Sequence, residues 1–274
     1  MEVRLAESLG FCFGVRRAIE MAEENPGSQT YGPLIHNPDE IKRLKEDFDV
    51  WTTNRPEDLA VGRKVIIRTH GIPKDRLAQL DREGYEYVDA TCPFVKKPQE
   101  ICARMSAQGY DIVIFGDASH PEVQGVVSYA DGPTYVVQSP SELSSIKLKS
   151  KIAVISQTTR KFQEFMAIVE YLIARYPEVA VFNTICNATF DNQDAARELA
   201  REVDVMVVVG GKNSSNTKQL LAIASEICPD SYLVERAVDL DPSWFVNKQL
   251  CGVTAGASTP KWVIDEVVEA IKRF

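Results

Sequence analysis

The chain has 274 residues, 45% of them hydrophobic and 26% charged, and its 31 basic against 39 acidic side chains give a formal net charge of −8. That composition excludes a disordered segment, and 6 cysteines over this length exclude a disulfide-stapled scaffold. The acidic balance argues against nucleic-acid binding, which draws on a basic stripe to displace counterions.

The opening residues carry Glu2, Arg4 and Glu7 with no apolar core, so no signal peptide is expected. The longest apolar run, residues 205–209, is far too short to span a bilayer. A cytoplasmic protein with no membrane partner is expected, and in a reducing compartment its cysteines should be buried, catalytic or metal-bound.

In chain order, Cys12 precedes a helical pattern over residues 13–22, followed by the polar turn Tyr31-Gly32-Pro33-Leu34-Ile35-His36-Asn37-Pro38. An apolar strand at 65–67 opens into Thr69-His70-Gly71-Ile72-Pro73. Cys92 precedes a second helical pattern over 95–106, and a strand at 112–115 opens into Gly116-Asp117-Ala118-Ser119-His120-Pro121-Glu122. The Ser-rich stretch 139–150 reads as a surface connection before a strand at 152–155, which opens into Ser156-Gln157-Thr158-Thr159. Cys186 precedes a third helical pattern over 189–202; the strand at 205–209 opens into Gly210-Gly211-Lys212-Asn213-Ser214-Ser215-Asn216. Last, Gly252-Val253 opens into Thr254-Ala255-Gly256-Ala257-Ser258-Thr259-Pro260.

One unit therefore recurs. Each of the three cysteines is followed by a first polar turn, at His36, His120 and Ser214, and then by a second, at His70, Thr158 and Ser258. The recurrence predicts an α/β fold of three related lobes with parallel sheets, each built from two strand–turn–helix units. Their bounds are 14–91, 92–182, and 183–274 together with 1–13. A pseudo-threefold axis would bring the cysteines to one centre, ringed by turns at the carboxyl ends of strands, where such sheets bind ligands.

Three thiolates at helix starts point to a metal or a cluster. Structural zinc sites usually show paired C-x-x-C spacing, which is absent. Three single cysteines fit an iron–sulfur cluster with one iron lacking a protein thiolate, able to polarise an oxygen and to pass electrons. A zinc hydrolase using Glu122 as base, and a non-catalytic cluster-bearing regulator, are the competing readings. Cys102, Cys228 and Cys251 read as core residues.

All three histidines, His36, His70 and His120, lie in polar turns. With Thr69, Ser119, Thr158, Asn213, Ser214, Ser215, Asn216 and Ser258 they either cap helices singly or together form an anion pocket suited to a phosphate or diphosphate. Lys212 is the main permanent cation of these turns, so imidazoles drawn towards protonation by the anion are expected to carry much of the recognition. No nucleotide-binding glycine motif occurs. Glu122 is either an acid placed by its helix dipole or a proton donor whose proton affinity nearby negative charge has raised.

Seven runs carry a resemblance: Gly10-Phe11-Cys12-Phe13-Gly14-Val15, Thr69-His70-Gly71-Ile72-Pro73, Asp89-Ala90-Thr91-Cys92-Pro93, His120-Pro121-Glu122-Val123, Asn183-Thr184-Ile185-Cys186-Asn187-Ala188-Thr189, Lys212-Asn213-Ser214-Ser215-Asn216 and Thr254-Ala255-Gly256-Ala257-Ser258. In this order, over nearly the whole chain, they resemble the 4-hydroxy-3-methylbut-2-enyl diphosphate reductase (LytB) family. Two positions depart from the family pattern: Pro98, where a Val-His pair is expected, and Asn192, where Arg is expected before Gln193.

The resemblance implies a trefoil-like α/β fold around a central 4Fe–4S cluster on Cys12, Cys92 and Cys186, with one open iron and a 3Fe–4S form dependent on oxygen exposure. It implies the last step of the non-mevalonate isoprenoid pathway, a two-electron, two-proton loss of the allylic hydroxyl, bound to the open iron, that yields isopentenyl and dimethylallyl diphosphate. By position, His36, His70, His120, Ser214, Ser215, Asn216 and Ser258 resemble the diphosphate-binding set and Glu122 the proton donor, with Thr158 and Asn216 orienting the hydroxyl. The implied electron donor is ferredoxin or flavodoxin.

Overall fold

The apolar runs of the sequence become the inner strands of parallel sheets. The computed structural model describes residues 1–274 apart from His36 and Asn213 and the side chains of Pro56, Thr189 and Ser215. The first stretch forms β1 (Glu2–Leu5), α1 (Phe13–Glu23), β2 (Gln29–Tyr31), α2 (Pro38–Phe48), β3 (Trp51–Thr53), β4 (Val65–Ile67), α3 (Lys74–Arg82) and β5 (Tyr87–Asp89). The middle forms α4 (Pro93–Ala107), β6 (Asp111–Phe115), α5 (Pro121–Val127), β7 (Thr134–Val137), α6 (Pro140–Leu143), β8 (Lys151–Ser156), α7 (Phe162–Ile173) and β9 (Glu178–Val181). The last forms α8 (Ala188–Ala200), β10 (Val205–Val209), α9 (Ser215–Ile227), β11 (Ser231–Val234), β12 (Leu250–Ala255) and α10 (Lys261–Ile271).

Two compact units result. One comprises Met1–Arg16, His36–Glu40 and Asn187–Phe274; the other comprises Arg17–Ile35 and Ile41–Cys186. The larger unit holds two four-stranded parallel sheets, β3-β2-β4-β5 and β7-β6-β8-β9. The smaller holds a third, β11-β10-β12-β1. The three lobes share one strand order, with a shift: the N-terminal β1 takes beside β12 the place that β5 takes beside β4 and β9 beside β8.

Register repeats as well. Tyr31 pairs with Ile67, Phe115 with Ser156 and Val209 with Ala255. His120 and Ser214 each lie five residues past the first strand of their lobe, as His36 does in the sequence. Past the third strand, Thr158 matches Thr69 and Ala257, while His70 matches Thr159 and Ser258. Thr158 is thus one residue out of step with the grouping expected from sequence.

Each inner strand is covered on both faces, which is why it reads as an unbroken apolar run. Along β10, Val205, Val207 and Val209 pack with Val263 and Val267 of α10, while Met206 and Val208 pack with Leu199 of α8 and Leu220 of α9. Along β6, Val113 and Phe115 meet Phe165 of α7, and Ile112 and Ile114 meet Ile101 of α4 and Val123 of α5. The outer strands β1, β3, β5 and β9 are only partly covered and carry polar residues, so an apolar pattern does not announce them. The 139–150 connection also holds more than expected, since α6 buries Leu143. Among the described residues no helix is long and apolar enough to cross a membrane.

Candidate active site

In the larger unit, the turn after β6 delivers His120 as the N-cap of α5. Its Nδ1 accepts the Glu122 backbone N–H at 3.2 Å. That bond fixes the orientation of the ring at the start of α5.

Glu122 is buried, with 1% of its surface exposed. Its Oε1 accepts the Thr158 backbone N–H and its Oε2 the Thr158 hydroxyl, each at 2.7 Å. Burial pushes the carboxyl above the usual glutamate range, and the two Thr158 bonds oppose that shift. Against His120 stands the ring of His70, edge-on, with centroids 5.2 Å apart. His70 lies in a tight turn closed by the Gly71 N–H donating to the Arg68 carbonyl at 2.9 Å.

The same bond holds Cys92 and Cys186, the two candidate ligand cysteines of this unit. The Cys92 N–H donates to the Thr69 carbonyl at 3.0 Å, and the Cys186 N–H to the carbonyl of the matching Thr158 at 2.8 Å. Cys92 is the N-cap of α4, with Pro93 at the first helical position, where its missing N–H costs nothing.

In the smaller unit, the Cys12 carbonyl accepts the Arg16 N–H at 2.9 Å as α1 opens. Ser214 caps α9, its hydroxyl accepting the Thr217 N–H at 3.3 Å. The Asn216 amide oxygen and nitrogen are both buried without a hydrogen-bond partner among the described residues. Leaving both unsatisfied is costly, and a ligand offering a donor and an acceptor would relieve it. The Ser258 carbonyl accepts Asn37 Nδ2 at 2.8 Å, and Asn37 Oδ1 accepts the Glu40 N–H at 2.9 Å, capping α2.

A cleft of about 630 Å³ lies over these turns, lined by Asn37, Gly210, Ser214, Arg236 and Ser258 among others. Gly210 has φ +149°, and a Cβ there would lie 2.8 Å from Thr217 Oγ1 and 2.9 Å from Thr259 Oγ1, so the β10–α9 turn needs glycine. Lys212, the main permanent cation of these turns, is ion-paired: its Nζ lies 3.3 Å from Asp239 and 4.0 Å from Glu235. Arg236, on the cleft wall, is likewise paired, donating to Glu266 Oε2.

The family model described as LytB protein matches residues 3–272. The chain belongs to the LytB family. A protein of a Nitratiruptor species named 4-hydroxy-3-methylbut-2-enyl diphosphate reductase is 60% identical over 274 residues, covering 100% of this chain and 99% of its own length. One of Wolinella succinogenes with the same name is 59% identical over 274 residues, with coverage of 100% and 99%. Among solved structures, that of (E)-4-hydroxy-3-methyl-but-2-enyl diphosphate reductase, the terminal enzyme of the non-mevalonate pathway, aligns with a TM-score of 0.89 at 39% identity, covering 100% of this chain and 99% of that one. The Plasmodium falciparum reductase aligns with a TM-score of 0.81 at 27% identity, covering 98% and 87%.

The LytB cysteines differ from the other three in a way that suits a cluster. Cys12, Cys92 and Cys186 are partly exposed and stand at or just before helix starts. Cys102 and Cys251 are buried, and burial pushes their thiols up to about 12; burial raises Cys228 too. Among the described residues, no three His, Cys, Asp or Glu side chains gather as a single metal ion would require. Cluster thiolates each hold a different iron, so they need not meet at one point.

Of the LytB site residues expected from sequence, Glu122, Thr158, His70 and His120 form one connected group in the larger unit, while Ser214 and Ser258 line the cleft of the smaller. His36, Asn213 and the Ser215 side chain lie outside the described residues. The two departures from the LytB pattern are buried: Pro98 lies inside α4, where its neighbour Gln99 packs under Gly71, and Asn192 accepts the Ser8 hydroxyl at 2.5 Å. Sequence reasoning missed Asn37 as a tie to Ser258; its signal was an Asn directly before Pro38, a helix-start pattern.

Proposed function

We propose that the chain carries out the reductive dehydroxylation of 4-hydroxy-3-methylbut-2-enyl diphosphate to isopentenyl and dimethylallyl diphosphate, the terminal step of the non-mevalonate route. The observation that carries this reading beyond family membership is the buried Glu122 carboxyl, held by Thr158 and adjoining the His120–His70 pair. A carboxylic acid kept protonated above its usual range can deliver a proton near neutral pH.

The chain has three lobes, bounded at 14–91, 92–182 and 183–274 with 1–13, and Cys12, Cys92 and Cys186 hold the cluster. When bound, a 4Fe–4S cluster supplies the electrons singly and, at the iron without a protein thiolate, Lewis acidity. The protein's own groups do the rest. His36, His70, His120, Ser214, Ser215, Asn216 and Ser258 hold the diphosphate, so the allylic end is placed before reaction begins. Thr158 and Asn216 orient the hydroxyl. Glu122 transfers its proton to the hydroxyl oxygen as the C–O bond breaks, and the oxygen leaves as water. Two electrons and two protons enter, and one water leaves. Thr158, donating twice to the resulting carboxylate, stabilises the charge left behind. The electrons come from ferredoxin or flavodoxin in a cytoplasmic setting.

Anaerobic iron and sulfide determination with a visible spectrum, followed by single turnover with dithionite and the hydroxy diphosphate, tests the reading. A brown protein that converts the substrate is expected; a colourless protein with one zinc would overturn it.

A further inference from the structure

A diphosphate calls for positive charge, and the cations visible in the turns of the smaller unit, Lys212 and Arg236, are both matched by carboxylates. Arg68 is not. It follows β4 and opens the turn Arg68-Thr69-His70-Gly71. Its Nε donates to the Gly71 carbonyl at 3.3 Å, while the Gly71 N–H donates to the Arg68 carbonyl at 2.9 Å. Side chain and main chain thus close the same turn from two sides.

The guanidinium also lies against the β2–α2 turn. A Cβ on Gly32 would come 2.6 Å from Arg68 Nη1, which places the guanidinium against this turn, and the φ of +75° at Gly32 favours glycine there. Thr69 ties the two turns again, its hydroxyl donating to the Leu34 carbonyl at 3.0 Å. No carboxylate pairs with Arg68 among the described residues; burial works against its charge, and only the Tyr31 phenol favours it. Arginine does not discharge by losing a proton, so a partly desolvated cation stands in the turn that carries His70, with no carboxylate partner among the described residues. An arriving anion would lower that cost.

We propose that Arg68 is a positioning residue for diphosphate recognition, clamping the His70 turn and adding to it a permanent positive charge that no carboxylate among the described residues neutralises. This rests on the diphosphate reading given above. Its two parts, clamp and charge, separate by substitution: Arg68→Lys keeps the charge and loses the planar fork, whereas Arg68→Met keeps only the apolar stem.

The test is calorimetric titration of the cluster-loaded protein with inorganic diphosphate at low and high ionic strength, with thermal midpoints recorded for each variant. Arg68→Lys should bind within about threefold of wild type, and Arg68→Met about tenfold more weakly with a shallower salt dependence. Steady-state KM for the substrate should rise in the Met variant more than kcat falls. Wild-type affinity and salt dependence in Arg68→Met, or equal losses in both variants, would overturn the proposal. Should Arg68→Met not fold, the Lys variant decides alone: retained affinity supports the charge, and a tenfold loss in a folded protein refutes it. A wild-type chain that does not bind diphosphate at all would sink the diphosphate reading itself, and this inference with it.

Discussion

Thr158 grips the Glu122 carboxyl twice, through its backbone N–H to Oε1 and its hydroxyl to Oε2, both at 2.7 Å. Its carbonyl meanwhile accepts the Cys186 N–H at 2.8 Å. One residue thus joins the proposed proton donor to a proposed cluster ligand, and the pairing makes the proton chemistry open to test.

Glu122→Gln keeps the shape and one accepting oxygen, replaces the other oxygen by NH2, and cannot give up a proton under turnover conditions. Turnover should fall by about 10²–10⁴-fold, with the visible absorption of the cluster unchanged. Single-turnover product analysis beside the spectrum checks both halves. Normal turnover would remove Glu122 from the mechanism.

The same substitution should alter the pH dependence of stability. The folded carboxyl titrates above the ordinary glutamate value of 4.5. Below that value both folded and unfolded states are protonated and the residue costs nothing. As pH rises past 4.5 the unfolded chain ionises first, so stability is lost progressively until the folded carboxyl also ionises. Glu122→Gln has no such loss. Its thermal midpoint relative to wild type should rise between acid and neutral pH, as differential scanning calorimetry at several pH values would show; a constant difference would contradict the raised value.

Thr158→Ala removes the hydroxyl bond, which lowers the Glu122 carboxyl, and keeps the N–H bond. The carboxyl should then titrate higher, moving the alkaline limb of the pH–kcat profile upward. The lost bond to a developing carboxylate should cost about 1.5–3 kcal/mol of catalysis. Thr158→Ser should restore both, and a profile that does not move would show that this hydroxyl has no hold on the acid.

The cysteines should divide cleanly. Cys92→Ser is expected to lose bound iron and sulfide in anaerobic preparations. Cys102→Ala should keep them and lose only about 1 kcal/mol of stability, because Cys102 is a fully buried core residue. Iron counted per chain decides, and full iron in Cys92→Ser would refute the ligand assignment.

Gly210→Ala places a Cβ within 2.8 Å of Thr217 Oγ1 at a backbone angle that L residues rarely adopt. It should cost roughly 1–3 kcal/mol of stability and weaken substrate binding through the displaced Ser214 turn. Chemical denaturation and KM report the two effects separately.

Much of this protein was legible in its sequence. The inner strands announced themselves because both faces are covered, making them continuously apolar, and the three cysteines because each lies one or two residues before a helix. The histidine turns and Glu122 followed from the same recurrence. Other facts depend on contacts between residues far apart in the chain. Half-covered outer strands carry no apolar pattern, so β1 completing the last sheet emerges only when it pairs with β12. Charge is worse concealed: nothing in the sequence shows that Asp239 folds beside Lys212, or that Arg68 is partly buried with no carboxylate partner among the described residues. Residue type is a property of the sequence, but the free energy of a charge depends on its neighbours and its solvent, and only the tertiary structure decides those.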